Sequence, residues 1–278
     1  MDTAHHMLRT GRRGPLFEAQ MALRDLRASG ERLDLAWSLA WHDVVSRYRG
    51  SILGPLWITL SMGVMVLGIG VLWGGLFHEP IKTFIPFVAV GIVFFGVVTA
   101  TINEGCETFV QAAGMLSQTS LPMFTFVWRT VLRNLINLGH HVAIVGAVLV
   151  YGDLWAHANY AGALLGVLFM VANVSWVSML VAVISARFRD IPQAVQSVTQ
   201  AAAIMTPVFW RPDRIPAAYH WILDFNPFYH LLEAIRAPLL GTQVAPHTYS
   251  VLAAMAVGGW AATFWLFART RRRIVHYL

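Results

Sequence analysis

The sequence predicts an all-α polytopic membrane protein with six transmembrane helices. Three observations predict it. Hydrophobic residues make up 57% and charged residues 12% of the 278, whereas a soluble domain carries about 25% charged. Such a chain lacks the polar groups to clothe a water-facing surface. Long apolar runs recur at bilayer length, and basic residues bunch in alternate connections between them. The same composition excludes disorder, collagen and coiled coil. One cysteine, Cys106, excludes an intrachain disulfide and a cysteine-based metal site.

Residues 1–53 contain no continuous apolar run of spanning length, so no secretory signal is expected there. Arg12-Arg13 resembles a twin-Arg signal, but no apolar segment follows closely, and it reads as a basic flank. The first run, Pro55–Phe77, gives about 34 Å of helix, enough to cross a bilayer. His78-Glu79-Pro80 separates it from the second, Ile85–Ile102. The third, Val131–Tyr151, is weaker, carrying Arg133, Asn134, Asn137, His140 and His141. The fourth, Tyr160–Ile184, is uncharged; the fifth, Ile191–Phe209, is interrupted by glutamines; the sixth is Tyr249–Ala268.

Six spans place both termini on one side. Of the 20 basic residues, 16 then fall on that side: Arg9, Arg12, Arg13, Arg24, Arg27, Arg32, Arg47, Arg49, Arg129, Arg133, Arg187, Arg189, Arg269, Arg271, Arg272 and Arg273. Lys82, Arg211, Arg214 and Arg236 fall outside. The positive-inside rule makes the first set cytoplasmic. Residues 1–53 then form a cytoplasmic segment, 54–268 the membrane domain and 269–278 a basic tail.

Between the spans, residues 16–49 read as an amphipathic helix, with Leu33, Trp37, Ala40, Trp41, Val44, Val45 and Tyr48 opposite Asp34, Ser38 and Asp43. It suits the membrane interface, or packing on another subunit. Residues 104–128 form an inside connection in which Glu104 and Glu107 share a helix face. They read as interfacial charges with Arg129 and Arg133 as partners, or as an acid/base pair. Gln193, Gln196, Ser197 and Gln200 share one face of the fifth span, which should meet a wet cavity or another helix. Residues 211–247 hold five prolines and the aromatics Tyr219, Trp221, Phe225, Phe228 and Tyr229. They read as two short helices, Ile215–Phe225 and Phe228–Leu240, dipping into the outer leaflet. Those aromatics are belt anchors, sugar-stacking platforms or a dry gate. Gly70-x-x-x-Gly74 and Gly162-x-x-x-Gly166 permit close helix contact. His140-His141 point in different directions on a helix and read as polar lining rather than a metal site.

The sole lysine, Lys82, sits in Pro80-Ile81-Lys82-Thr83, outside any glycine-rich loop, so the chain lacks a P-loop. Work driven by ATP would need another subunit to hydrolyse it. No zinc motif, nucleophile elbow or dinucleotide fingerprint is present, and no cofactor or nucleic-acid partner is expected.

The run Arg47-Tyr48-Arg49-Gly50-Ser51-Ile52-Leu53-Gly54-Pro55-Leu56-Trp57 resembles the entrance to the first span in membrane subunits of type-2 ABC exporters, the polysaccharide branch. Three further segments agree in order: Ala186-Arg187-Phe188-Arg189-Asp190-Ile191, Thr206-Pro207-Val208-Phe209-Trp210, and Asn226-Pro227-Phe228-Tyr229 with Arg236. The resemblance implies a permease that is not itself an enzyme, in a bacterial cytoplasmic membrane. It pairs with a second copy and with two ATP-binding subunits that use ATP and Mg. The cargo implied is a polyprenyl-diphosphate-linked glycan such as O-antigen, capsule or teichoic acid. It implies gate helices within 211–247 and ATPase coupling through the N-terminal helix and residues 104–122, with Glu104, Glu107, Ser117 and Pro122 as candidates. Gln193, Gln196, Ser197 and Gln200 are then candidate channel residues, and Arg47 and Arg49 candidates for receiving the lipid diphosphate by fork geometry, or simply the positive-inside signal. Rival readings are a drug or small-lipid exporter, a membrane-embedded transferase using Glu104/Glu107 or Asp213, Asp224 and Glu233, and a channel without an ATPase.

Overall fold

A computed structural model describes residues 15–278; Arg9, Arg12 and Arg13 lie outside the described residues. Eleven α-helices and no strand occur among the described residues. Five helices are long and apolar enough to cross a membrane: α3 (Leu56–Phe77), α4 (Ile81–Gln111), α6 (Met123–Tyr151), α7 (Tyr160–Arg187) and α11 (Pro246–Tyr277). They begin and end near the expected runs, but α4, α6 and α11 extend beyond them. Arg129 and Arg133 thus stand on helix α6, and most of the basic tail is helical.

The fifth expected run behaves differently. Its helix, α8 (Ile191–Met205), has 15 residues, or about 22 Å, short of a hydrocarbon core of about 30 Å. At Thr206 the backbone turns extended, because Pro207 supplies no N–H and disfavours helix at the residue before it. Residues 206–226 then rise and return. After a 3₁₀ turn at Pro212–Arg214, the expected helix Ile215–Phe225 is instead a second 3₁₀ turn, Ala217–Tyr219, and the four-residue α9 (Trp221–Asp224). Asn226 turns the chain into α10 (Pro227–Leu239), capping it by accepting the N–H groups of Phe228 (3.0 Å) and Tyr229 (3.3 Å). Phe228 meets Phe95, midway along α4, at 5.8 Å between centroids. The hairpin tip therefore reaches half the depth of the bundle.

Helix α4 is the central post, packed by α3, α6, α7, α8 and α10. Its phenylalanines and valines form the main core with residues of α6, α7 and α10. The turn into it is closed by His78, left-handed at φ 55. The Glu79 N–H donates to the Gly74 carbonyl and the His78 N–H to that of Gly75, satisfying the end of α3 before Pro80 starts α4. Both glycine motifs serve contacts inside the chain. A Cβ at Gly70 would lie 2.8 Å from Ile85 Cγ1, and one at Gly166 would strike the Ala234 carbonyl of α10. Gly166→Val should therefore destabilise the fold by about 1–3 kcal/mol through overpacking. Gly68→Val, with open space at its Cβ, should be neutral. Melting of the detergent-solubilised protein checks both.

The N-terminal segment is two helices, not one. Helix α1 (Pro15–Gly30) turns at Glu31-Arg32 into α2 (Leu33–Arg47). Helix α2 buries Ala36, Ala40 and Val44 against α6 and leaves Trp37 and Trp41 stacked and half-exposed. Helix α1 lies across the ends of α6 and α11. Asp25 accepts the N–H groups of Met123 and Phe124 (both 3.2 Å), capping α6, and pairs with Arg271 at 3.3 Å.

Candidate functional site

The two ends of the bundle differ in how charge is handled. At the hairpin end every basic residue is matched: Lys82 by Asp153 (2.5 Å), Arg211 (3.2 Å) and Arg214 by Glu79, and Arg236 by Glu233 (2.7 Å). At the other end Arg47, Arg49, Arg187 and Arg189 have no carboxylate at ion-pair distance among the described residues.

A polar network joins α2, α4 and α6 at this basic end. Arg129 donates a two-pronged pair of bonds to Asp43 (2.6 and 2.7 Å). Arg133 bridges Asp43 (3.1 Å) to Glu104 (2.8 Å), and Asn134 donates to Glu104 at 2.7 Å. Burial alone would push the Asp43 pKa up, but the hydrogen bonds and charges of Arg129 and Arg133 outweigh it and hold its carboxyl below the usual range. Glu104 and Glu107 border one cleft, but their hydrogen-bond partners differ. Helical spacing makes them neighbours; Glu104 bonds to α6, and Glu107 stays exposed and accepts from Gln111 at 2.7 Å. Arg129 pairs with Asp43 rather than with either glutamate. Ser117 is exposed at the end of the short α5 (Ala113–Gln118); Pro122 is buried beside the Asp25 cap.

Asp43 and Asp25 are the residues that sequence reasoning missed. Asp43 was expected on the polar side of an interface helix. It lies three residues after Ala40 and seven after Ala36, so it belongs to the small-residue stripe that packs on α6. That stripe was the available signal. Asp25 carried none, since its partner backbone is nearly a hundred residues away.

Gln193, Gln196, Ser197 and Gln200 are all exposed on α8. Gln193 and Gln196 border a cleft of about 400 Å³ with Asn103, Glu104, Glu107 and Pro192. Thr199, beside the strip, is buried and bonded to Asn103 at 3.2 Å. Beyond the strip, Val198, Met205, Trp221, Phe225 and Phe228 border an apolar cleft of similar size. The aromatic cluster divides there. Tyr219, Trp221 and Phe225 are exposed, Tyr229 is half-buried, and Phe228 packs into the core.

Arg236 and Asn226 hold the place where α8 stops. Arg236 is 1% exposed, lies over the Phe87 ring at 4.1 Å and donates to the Pro207 carbonyl at 2.5 Å. Asn226 donates to Thr206 Oγ1 at 3.0 Å and to the Met205 carbonyl at 3.4 Å. The segments Thr206–Trp210 and Asn226–Tyr229 with Arg236, distant in sequence, are one latch. Arg47 and Arg49 are exposed, around the end of α2 and far along the chain from this latch. Asp213 and Asp224 are exposed and Glu233 is tied to Arg236, so these three do not converge. His140 bonds the Ile136 carbonyl while His141 is buried, and the two diverge.

Comparison with known proteins adds a family. Over 203 residues the chain is 23% identical to the O-antigen export system permease protein RfbA of Myxococcus xanthus, covering 72% of this chain and 78% of that protein. Over 212 residues it is 22% identical to the protein of the same name from Klebsiella pneumoniae, covering 74% and 80%. The sequence profile of the ABC-2 type transporter matches residues 34–240, from the start of α2 to the end of the hairpin, and the chain belongs to that family.

Proposed function

We propose that this chain is the membrane permease of an exporter that moves lipid-linked polysaccharide of the O-antigen type across the bacterial cytoplasmic membrane. The observation that carries the reading is likeness, over nearly three-quarters of the chain, to two O-antigen export permeases. The basic end faces the cytoplasm. With α8 and the hairpin completing a sixth crossing, both termini are cytoplasmic.

Two copies pair so that the open glutamine strips of α8 meet, and two separate ATP-binding subunits burn ATP with Mg. Polar side chains turned away from their own bundle are costly against lipid, which supports a wet route between two copies. The ATPases push on Ser117, Pro122 and helix α1. Glu104, through Arg133 and Asp43, passes the movement to α2. Tyr219, Trp221 and Phe225 guard the exit; Tyr229 backs them and Phe228 anchors them. Arg47 and Arg49 receive the diphosphate. A guanidinium fork matches phosphate oxygens, and neither arginine has a carboxylate at ion-pair distance among the described residues.

In a strain lacking the gene, the wild-type chain with its ATPase should restore surface polysaccharide, and Arg47→Gln/Arg49→Gln should not. The variant should still insert and still co-purify with the ATPase. Full restoration by the variant would remove the diphosphate role. Failure of the wild type to co-purify with any ATP-binding subunit would remove the exporter reading itself.

A further inference from the structure

At the basic end a second cavity, of about 480 Å³, lies on the other side of Glu107 and Pro192 from the glutamine cleft. It is bordered by the ends of α4, α7 and α11 and the start of α8. Its polar groups include Arg189, Glu107, Gln111, Ser185 and Tyr277; Val110, Ala186 and Pro192 give it an apolar side, and Cys106, Ala113 and Leu278 complete the lining. Arg189 and Glu107 line one space yet do not pair with each other. Neither has an opposite charge at ion-pair distance among the described residues. The Ser185 hydroxyl is buried, at 3% exposure for the residue, and makes no well-formed hydrogen bond; its polar neighbour is the Cys106 thiol.

The depth of the cavity is marked by its surroundings. The Arg187 guanidinium lies over the Phe188 and Tyr277 rings, and Arg269 lies 4.0 Å over the Trp265 ring. Arginines paired with Trp and Tyr at span ends mark the interface where lipid headgroups sit. A cavity there, with a cation and an anion held apart and an orphan hydroxyl between apolar walls, complements a headgroup carrying both charges.

We propose that this cavity binds one ethanolamine phospholipid, with its phosphate on Arg189 and its ammonium on Glu107. Ser185 and Gln111 offer hydrogen bonds to the phosphate oxygens, and the apolar side receives the start of an acyl chain. Arg favours the phosphate by fork geometry. The glutamate sets the selectivity, because it repels a headgroup that is anionic without an amine. The site is independent of what the permease exports.

The test is native mass spectrometry of the complex with its ATPase in mild detergent, with phosphatidylethanolamine or phosphatidylglycerol of matched chains added. The wild type should retain one phosphatidylethanolamine per permease chain and prefer it over phosphatidylglycerol. Arg189→Gln and Glu107→Gln should each lower that retention by about tenfold, the loss of one charge-assisted contact. Arg189→Lys should recover part of it, and Ser185→Ala should weaken retention without removing a charge. Glu107→Gln should also relax the preference against phosphatidylglycerol. Unchanged retention in Glu107→Gln and Ser185→Ala, which leave the arginine in place, would overturn the proposal. So would equal retention of both lipids by the wild type, which would make the cavity a site for phosphate alone.

Discussion

Arg236→Met should lower stability by about 3–5 kcal/mol, the cost of breaking a buried charge pair. The substitution strips the Pro207 carbonyl of its donor and leaves Glu233 without its partner. Methionine fills the space over Phe87 but supplies no donor. The measurable result is a large drop in the melting temperature of the solubilised protein, with proteolysis appearing first between residues 206 and 226. Arg236→Lys should recover part of the loss, since a single ammonium can serve the carbonyl or the carboxylate but lacks the planar fork that reaches both. Equal melting of Met and wild-type proteins would mean that the latch is closed by Asn226 alone.

Asp43→Asn should release α2 from α6, the second largest effect. The carboxylate takes bonds from Arg129 and Arg133, and its side chain is 15% exposed. The loss falls between that of an exposed pair, about 0.2–1 kcal/mol, and that of a buried one, about 3–5 kcal/mol. Export should fail, and the Glu31-Arg32 turn should open to protease. Acid gives a second readout. The folded carboxyl is held below its ordinary value, near 4, so its contribution is complete above that value and is lost as pH falls through the lower, folded one. The wild type should therefore loosen at α2 below about pH 4, whereas Asp43→Asn should be loose at neutral pH and respond much less to acid there. Unchanged protease resistance of Asp43→Asn at neutral pH would show that the Ala36-Ala40-Val44 stripe alone holds α2.

What the sequence disclosed follows from what each signal reports. Apolar runs report transfer into hydrocarbon, so α3, α4, α6, α7 and α11 were legible, down to the His78-Glu79-Pro80 break. Hydropathy does not say where a helix stops once it leaves the lipid, so α4 and α11 proved longer than their runs. It also counts Val208 and Phe209 as span, although Pro207 has already ended the helix. The amphipathic pattern of residues 16–49 registered the apolar side of α2 but not the turn at Glu31-Arg32. The Gly70 and Gly162 motifs announced close contact without naming the partner, which here is the chain itself. Charge spacing placed Glu104 near Arg133, since both sit at span ends. It gave Arg129 to the wrong carboxylate, because Asp43 looks solvent-facing until the alanine stripe is recognised as the packed side. The aromatics of the hairpin could be counted from sequence, but only packing separates Phe228 from Trp221 and Phe225.

The latch at Thr206 also bears on biosynthesis. A helix of 15 residues leaves the ribosome with its last carbonyls open. Asn226, which serves the Met205 carbonyl, and Arg236, which serves that of Pro207 just beyond the helix, are translated only later. Threading through the translocon therefore cannot finish this region in order; α8 waits, half-made, for the returning segment to be synthesised. Quality-control proteases acting on nascent membrane proteins meet this chain at its most vulnerable during that interval.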